Sequence, residues 1–550
     1  MLLRGSRRAL LGFGLGLGLL AGCGDDSAPS GGGGSGGSGG QPSSTTTDMG
    51  GQGGEAIDPR FNPVIEALEA EMAQLDTSGA AIAILEGGEV TFARGFGKKN
   101  PEEDAPVVAT TLFRIGSTQK MMTATAVLQL VERGQLDLDE PITTYVPDFA
   151  FNLDPTWAPS ITVRDLLTHQ SAQYDYLKID TPQVGDEALG DWINGYWSNQ
   201  GYLMAPSGRM WNYSNPGFMM AGFVAETVSG VPYRTYMAEN VWGPLGMNRT
   251  FLLPSDVIAD GDYASGSTLH WDTGEPMIAT PDSYDNGWAR PAGFAFSSVL
   301  DMAEFVKFLR AGNPSVLADQ LRTQMFAEQV DTEIVPGEFY GFGLEAARGF
   351  FLHGETASEI DYYELPRISH AGALQGFSSD VFYFPSLDFG FITLANADGA
   401  YFRDTLEVAL KTLVELPAPS TPPDLSVDPA DYPLYVGDYT DPWNVGAISI
   451  TTDGAELLIS IELADNYDIP YDHVLEPYAP NNFILTIQGV ELPVTFLFDE
   501  PSAAKYLRTR YFVGERDATA RTVARTDAER AANLFSALEE ARRDRPIALR

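Results

Sequence analysis

The stretch Thr111–Leu136, "TLFRIGSTQKMMTATAVLQLVERGQL", sets a serine, Ser117, three residues before a lysine, Lys120, at the start of a helix-patterned segment. Residues three apart on a helix share a face, so the amine can approach the hydroxyl. Downstream, Met121, Met122, Val127, Leu128, Leu130 and Val131 supply an apolar stripe that would bury the helix. Ser117 then lies at a helix start, where free amides and the macrodipole favour the negative charge of an alkoxide. A Ser-x-x-Lys pair alone is weak evidence, because such pairs arise by chance in many proteins.

Two further segments carry candidate chemistry. In "GRMWNYSNPGFMMAGFVAETVSG", Tyr213-Ser214-Asn215 lies in a polar loop ahead of an amphipathic helix pattern (Met219, Met220, Phe223, Val224, Val228). A phenol ordinarily titrates near pH 10, so a tyrosine serves as a general base only where cations favour its ionised form; Lys120 is one available cation. Asn215 is expected to donate an amide hydrogen bond toward the lysine side or to a substrate carbonyl. In "ISHAGALQGFSSDVFYFPSLDFGFITLAN", His370-Ala371-Gly372 stands on an apolar, strand-like run. Gly372 would let a substrate backbone lie along the strand edge. The amide of Ala373 would join that of Ser117 as an oxyanion hole. Each triplet also has an ordinary structural meaning, a capping loop or a core histidine.

The order of the three segments is more specific than any one of them. Ser-x-x-Lys, then Tyr-x-Asn, then His-x-Gly resembles the penicillin-recognising serine hydrolases, in particular the class C β-lactamase and D-alanyl-D-alanine carboxypeptidase branch. "ITVRDLLTHQSA" resembles that family's "LLTHTSG" segment, with Gln170 and Ala172 in place of threonine and glycine. "YSNPGFMMAGFVAETVSGVPYRTYMAENVWGPLGM", "RPAGFAFSSVLDMAEFVKFL" and "YGFGLE" continue the likeness, which runs from about Val64 to Leu413. The resemblance implies that Ser117 is the acylated nucleophile and that Lys120 keeps its proton network charged. It further implies that Tyr213 is the acid/base, oriented by Asn215. His370 takes the place usually held by lysine, facing a substrate carboxylate or tuning Tyr213. A neutral imidazole holds a carboxylate less firmly than an ammonium, which disfavours potent lactamase activity.

Rival chemistries find little support. Gly-x-Ser-x-Gly occurs only inside the Gly/Ser tract, at Gly33–Gly37 and overlapping it at Gly36–Gly40, where no nucleophile is held in place. The five histidines (His169, His270, His353, His370, His473) are scattered without a His-x-His pair, so no metal is implied, nor any organic cofactor. A non-catalytic wall-binding protein on the same fold stays open as a different class of function, although the serine, lysine and tyrosine are all retained.

The rest of the chain gives the setting. Residues 1–23 have a basic start (Arg4, Arg7, Arg8), a short apolar run and the end Leu20-Ala21-Gly22-Cys23, which resembles the lipobox of bacterial lipoproteins. "SRRALL" also looks like a twin-arginine signal, without its usual aromatic residue. Cys23 is the single cysteine, so it is the expected lipid attachment site and no disulfide is expected. Residues 24–56 are a Gly/Ser/Thr-rich tether that cannot repay its ordering entropy. Its r.m.s. reach is about 30 Å. The expected location is the cell envelope, membrane-anchored and facing the periplasm or exterior.

Residues 57–416 form the expected catalytic domain, an α+β arrangement of an antiparallel sheet flanked by helices plus a helical subdomain. A proline-dense linker, 417–433, leads to a β-rich segment, 434–516, with a hairpin signal at Asp453-Gly454. "YVGDYTDPW" and the hairpins after it are similar to the lipocalin-like barrel appended to several of these hydrolases. In relatives it trims substrate size beside the active site; a stability or assembly role is equally open. Residues 517–550 are expected as a mainly polar helical tail. The formal charge of −41 repels nucleic acid. The expected partners are a small-molecule or peptide substrate and, through the anchor, a membrane. The expected activity is that of a serine hydrolase on an ester or amide. The alternative is a penicillin-binding carboxypeptidase or weak β-lactamase.

Overall fold

The computed structural model describes residues 48–49, 57–156, 158–175, 183–270, 274–354, 359–518 and 525–543. The signal segment, the lipobox with Cys23 and nearly all of the 24–56 tether lie outside the described residues, as does part of the 517–550 tail.

The catalytic part is built on a nine-stranded sheet. Its strands are β1 (Asp48–Met49), β2 (Gly79–Glu86), β3 (Glu89–Gly97), β4 (Val330–Asp331), β5 (Glu338–Tyr340), β6 (Glu345–Ala347), β7 (Arg367–Leu374), β8 (Phe377–Phe384) and β9 (Phe389–Ala395). They lie in the order β1-β3-β2-β9-β8-β7-β6-β5-β4, antiparallel except for the short β1–β3 pair. Gly87 and Gly88, both at positive φ (61° and 85°), make the two-residue turn between β2 and β3.

Both faces of the sheet are covered, which is why its central strands read as unbroken apolar runs. Along β2 the pleat sorts side chains alternately into two cores. Ala80, Ile82 and Ile84 meet helices α1 (Asn62–Gln74) and α5 (Arg403–Leu413), which bring Val64, Leu68, Leu406 and Leu410. Ala81, Ala83 and Leu85 face the other core, shared with α2 (Gln119–Glu132), α3 (Asn215–Ser229) and α4 (Val299–Ala311).

The sequence pattern predicts α2 and α3 as amphipathic, and here the structure differs. Every residue of α2 from Gln119 to Leu130 is buried, and α3 is buried from Asn215 to Gly222. The two helices pack against each other and are surrounded by further helical segments, so Ala, Thr, Gly and Met occupy the faces where a surface helix carries charge.

The C-terminal part is a nearly closed eight-stranded antiparallel barrel. Its strands are β10 (Gly437–Asp441), β11 (Gly446–Thr452), β12 (Leu457–Ile461), β13 (Glu476–Ala479), β14 (Asn482–Ile487), β15 (Val490–Glu500), β16 (Ala503–Arg508) and β17 (Val513–Arg516), in the order β12-β11-β10-β17-β16-β15-β14-β13. The segment before β13 spans the gap: Ile459 N donates to His473 O (2.8 Å) and Asp472 N to Thr486 O (2.9 Å). Helix α6 (Asp527–Arg543) is polar outside but buries Ala531, Leu534, Ala537 and Leu538 in the barrel core.

Catalytic part and barrel fall in one compact unit, residues 46–550. Trp443 stacks on Tyr202 with ring centroids 4.4 Å apart, and Tyr202 Oη donates to Asn444 Oδ1 at 2.5 Å. Trp443, Leu497, Tyr506 and Val513 of the barrel join the core of the catalytic part. Among the described residues no helix is long and apolar enough to cross a membrane, and no group of acidic, histidine or cysteine side chains is arranged to hold a metal.

Candidate active site

Ser117 sits in a single 3-10 turn, Gly116–Thr118, that leads directly into α2. Gly116, at φ +50°, starts the turn; a side chain there would meet the Ala373 amide nitrogen at 2.7 Å. Strand β7 therefore passes hard against the turn. Gly372, one residue earlier on β7, is subject to the same constraint. A Cβ on it would collide with the Ile115 carbonyl and approach Ser117 N to 2.9 Å. Glycine here lets the protein's own backbone close on the serine, and brings the Ser117 and Ala373 amides into one neighbourhood.

Lys120 is fully buried, one turn beyond Ser117. Its Nζ donates to Ser117 Oγ (2.9 Å), Asn215 Oδ1 (2.8 Å) and the Ala292 carbonyl (2.7 Å). All three acceptors are uncharged. The ammonium also lies 5.0 Å from the Tyr213 ring centroid. A buried cation is tolerated when its protons are all engaged, and this geometry engages three.

Helix α3 begins with Ser214 as N-cap, its Oγ accepting from Gly217 N at 3.3 Å, and Pro216 in the first turn. That cap fixes where Tyr213 and Asn215 stand. Asn215 accepts rather than donates on its lysine side, because an ammonium has no lone pair to offer. Its donors, the backbone N (2.8 Å) and Nδ2 (3.1 Å), both go to Oδ1 of the fully buried Asp175.

Tyr213 is half-buried in an aromatic nest. The His169 ring lies 4.1 Å from it, and Tyr340 packs 4.7 Å from His169. His169 holds the backbone in the left-handed region (φ +57°), and its Nδ1 accepts from Ser214 N at 3.1 Å. Burial, then the charge of Lys120, hold His169 well below the usual imidazole range, so it is neutral. Ala172, where the resembling motif has glycine, is also left-handed (φ +54°).

His370 shares the face of β7 that carries Gly372, toward Ser117. Its Nε2 is 3.1 Å from Tyr340 Oη, and its Nδ1 is 2.6 Å from the Ala371 carbonyl. Burial pushes its pKa down to about 4, so it is uncharged at neutral pH. The route from His370 toward Tyr213 runs through Tyr340 and the His169 ring.

Ser117, Lys120, Tyr213, Asn215, His370, Gly372 and Ala373 thus converge on one place, where the turn before α2, the cap of α3 and the strand β7 meet. The beta-lactamase family model matches residues 64–414, close to two thirds of the chain. The chain belongs to the beta-lactamase family. Its serine hydrolase fold is shared with proteins of several activities. Protein flp of Staphylococcus aureus is 23% identical over 386 residues, covering 70% of this chain and 71% of that protein. The octameric penicillin-binding protein homologue from Pyrococcus abyssi superposes with a TM-score of 0.53 at 23% identity, over 82% of this chain and 99% of its own. The D-amino acid amidase of Ochrobactrum anthropi SV3 superposes at 0.53 with 22% identity, over 64% of this chain and 98% of its own where both are measured on the complex with L-phenylalanine. Such identities carry the fold and leave the substrate undetermined.

Three participants escape the triplet motifs: Asp175, the Ala292 carbonyl and Arg510. Ala292 lies in "RPAGFAFSS", where the sequence signals likeness but not that a carbonyl takes a lysine proton. Asp175 and Arg510 touch each other across 335 residues of chain, and no local pattern marks either.

Proposed function

We propose that this beta-lactamase family member is a serine hydrolase that opens an ester or amide through an acyl-enzyme on Ser117. The observation that carries the proposal is the fully buried Lys120 ammonium with Ser117 Oγ and Asn215 Oδ1 both within 2.9 Å. A lysine is seldom buried without a task for its charge.

In the mechanism, Ser117 Oγ attacks the substrate carbonyl while its proton passes to Tyr213, held in its ionised form by neighbouring cations. The amides of Ser117 and Ala373 receive the developing oxyanion. Tyr213 returns the proton to the leaving alcohol or amine, and the acyl group remains on Ser117. Water, deprotonated by Tyr213, then attacks the ester and frees the acid, with the proton returned to Ser117 Oγ. Lys120 stays charged throughout and steadies the serine oxygen as it gains charge. Gly372 and Ala373 line the edge along which the substrate lies, and neutral His370 supports Tyr340 beneath it.

The carbonyl compound is proposed to be an ester or a simple amide, with penicillins poor substrates, because neutral His370 offers a carboxylate little. A D-configured peptide or amide is the second possibility, favoured by the structural likeness to the D-amino acid amidase. The lipobox-like end of the N-terminal segment supports the further proposal of export, acylation of Cys23 and a tethered position at the cell envelope. Turnover of p-nitrophenyl esters and D-aminoacyl p-nitroanilides, with Ser117→Ala as blank, tests the proposal. Hydrolysis surviving in Ser117→Ala would reject it.

A further inference from the structure

The hairpin turn between β16 and β17 of the barrel, residues 509–512, reaches the catalytic tyrosine. Thr509 Oγ1 accepts from Phe512 N (2.9 Å) and Tyr511 N (3.2 Å), which tightens the turn. On either side of Thr509 an arginine points into the catalytic part. Arg508 donates to the Trp211 carbonyl (2.6 Å) and to the Thr332 carbonyl (2.9 Å). The Arg510 carbonyl accepts from Asn212 Nδ2 (3.1 Å). The residues leading into Tyr213 are therefore held by the barrel.

The Arg510 side chain goes further. Its Nε and a terminal nitrogen each lie 2.6 Å from Asp175 Oδ2, while the other oxygen of Asp175 holds the backbone and amide of Asn215. The guanidinium carbon stands 4.8 Å from the Tyr213 ring centroid, close to the 5.0 Å of Lys120. The cation and its buried counter-ion thus serve Tyr213 and Asn215, both of which also meet Lys120.

We propose that Arg510 is a positioning residue of the active site: through Asp175 it fixes Asn215, and it supplies the second cation at Tyr213. The catalytic part is complete only with the barrel docked. This rests on the acyl-enzyme function above. Among the described residues, the charged or titratable groups near Tyr213 include Lys120 on α2, neutral His169, Tyr340 on β5 and the Arg510–Asp175 pair.

The test uses the full chain with Arg510→Ala, Arg510→Gln and Arg510→Lys, measuring kcat, KM and the pH profile of kcat/KM on p-nitrophenyl butyrate. Loss of the charge should lower kcat about 10–100-fold with little change in KM. It should also move the acid limb of kcat/KM up by about one pH unit. Arg510→Lys, which keeps the charge but loses the two-pronged grip, should restore the limb and part of the rate. Should Arg510→Ala fail to fold, Arg510→Gln, which keeps the stem and a donor to Asp175, decides. Unchanged rate and limb in a folded neutral variant would overturn the proposal. So would lost rate with an unmoved limb, since that marks a merely structural contact. Absence of any Ser117-dependent turnover in the unaltered chain would instead overturn the hydrolase function on which it rests.

Discussion

Replacing Lys120 with methionine should separate activity from stability. The ammonium is fully buried among three neutral acceptors at 2.7–2.9 Å. Removing it leaves those three acceptors short of a donor, at roughly 1 kcal/mol each. Removing it also relieves the desolvation of a buried cation, worth several kcal/mol. Methionine fills most of the space with little strain. The two effects nearly cancel, so unfolding free energy from urea titration should change by no more than about 2 kcal/mol in either direction. Turnover of p-nitrophenyl butyrate should nevertheless fall by at least about 10³, or about 4 kcal/mol of barrier. A variant retaining a tenth of the activity would refute the catalytic role. A stability loss beyond about 4 kcal/mol would show that the lysine is held for the fold instead.

Other substitutions test the remaining geometry. Gly372→Ala drives a methyl into the Ile115 carbonyl and the approach to Ser117 N, and should cost about 3 kcal/mol by urea titration with activity nearly abolished; a neutral effect would show that β7 does not pack as described. Ser214→Ala removes the α3 cap and should cost about 1 kcal/mol in the same assay while Ser117-dependent turnover persists. His370 has a pKa of about 4 against an ordinary 6.5. Between those values the unfolded chain binds the proton and the folded chain does not. This site's contribution to stability is therefore full above about pH 6.5 and lost as pH falls toward 4. His370→Gln should be less sensitive to acid over that window. Asp380 has the opposite sign: burial raises it to about 7 from 3.8, so the folded chain keeps a proton that the unfolded chain releases. Its contribution is lost as pH rises from about 4 to 7, and Asp380→Asn should flatten that slope in pH-dependent melts.

Much of the site is legible in the sequence because its chemistry sits on short spacings. Ser117 and Lys120 are three apart, Tyr213 and Asn215 flank a capping serine, and His370, Gly372 and Ala373 lie along one strand. The strands of the sheet and the Gly87-Gly88 turn are likewise local signals. What the sequence hides depends on long-range packing. The sequence of α2 shows one apolar stripe but not its burial on every side, since the Ala and Thr of the remaining faces serve either environment. His169 resembles a motif residue, but its left-handed backbone and its stacking on Tyr213 follow from the surrounding nest. Arg508 and Arg510 alternate on "KYLRTRYFVG" as surface residues of any hairpin would. Only the docked barrel brings Arg510 to Asp175.

The most direct measurement is intact and peptide mass of the chain, acid-quenched within the first turnovers of p-nitrophenyl butyrate. A butyryl adduct on the peptide containing Ser117, formed with the burst of p-nitrophenol and absent from Ser117→Ala, is the predicted result. Continued hydrolysis by Ser117→Ala, or a burst with the adduct on another residue, would contradict an acyl-enzyme on Ser117.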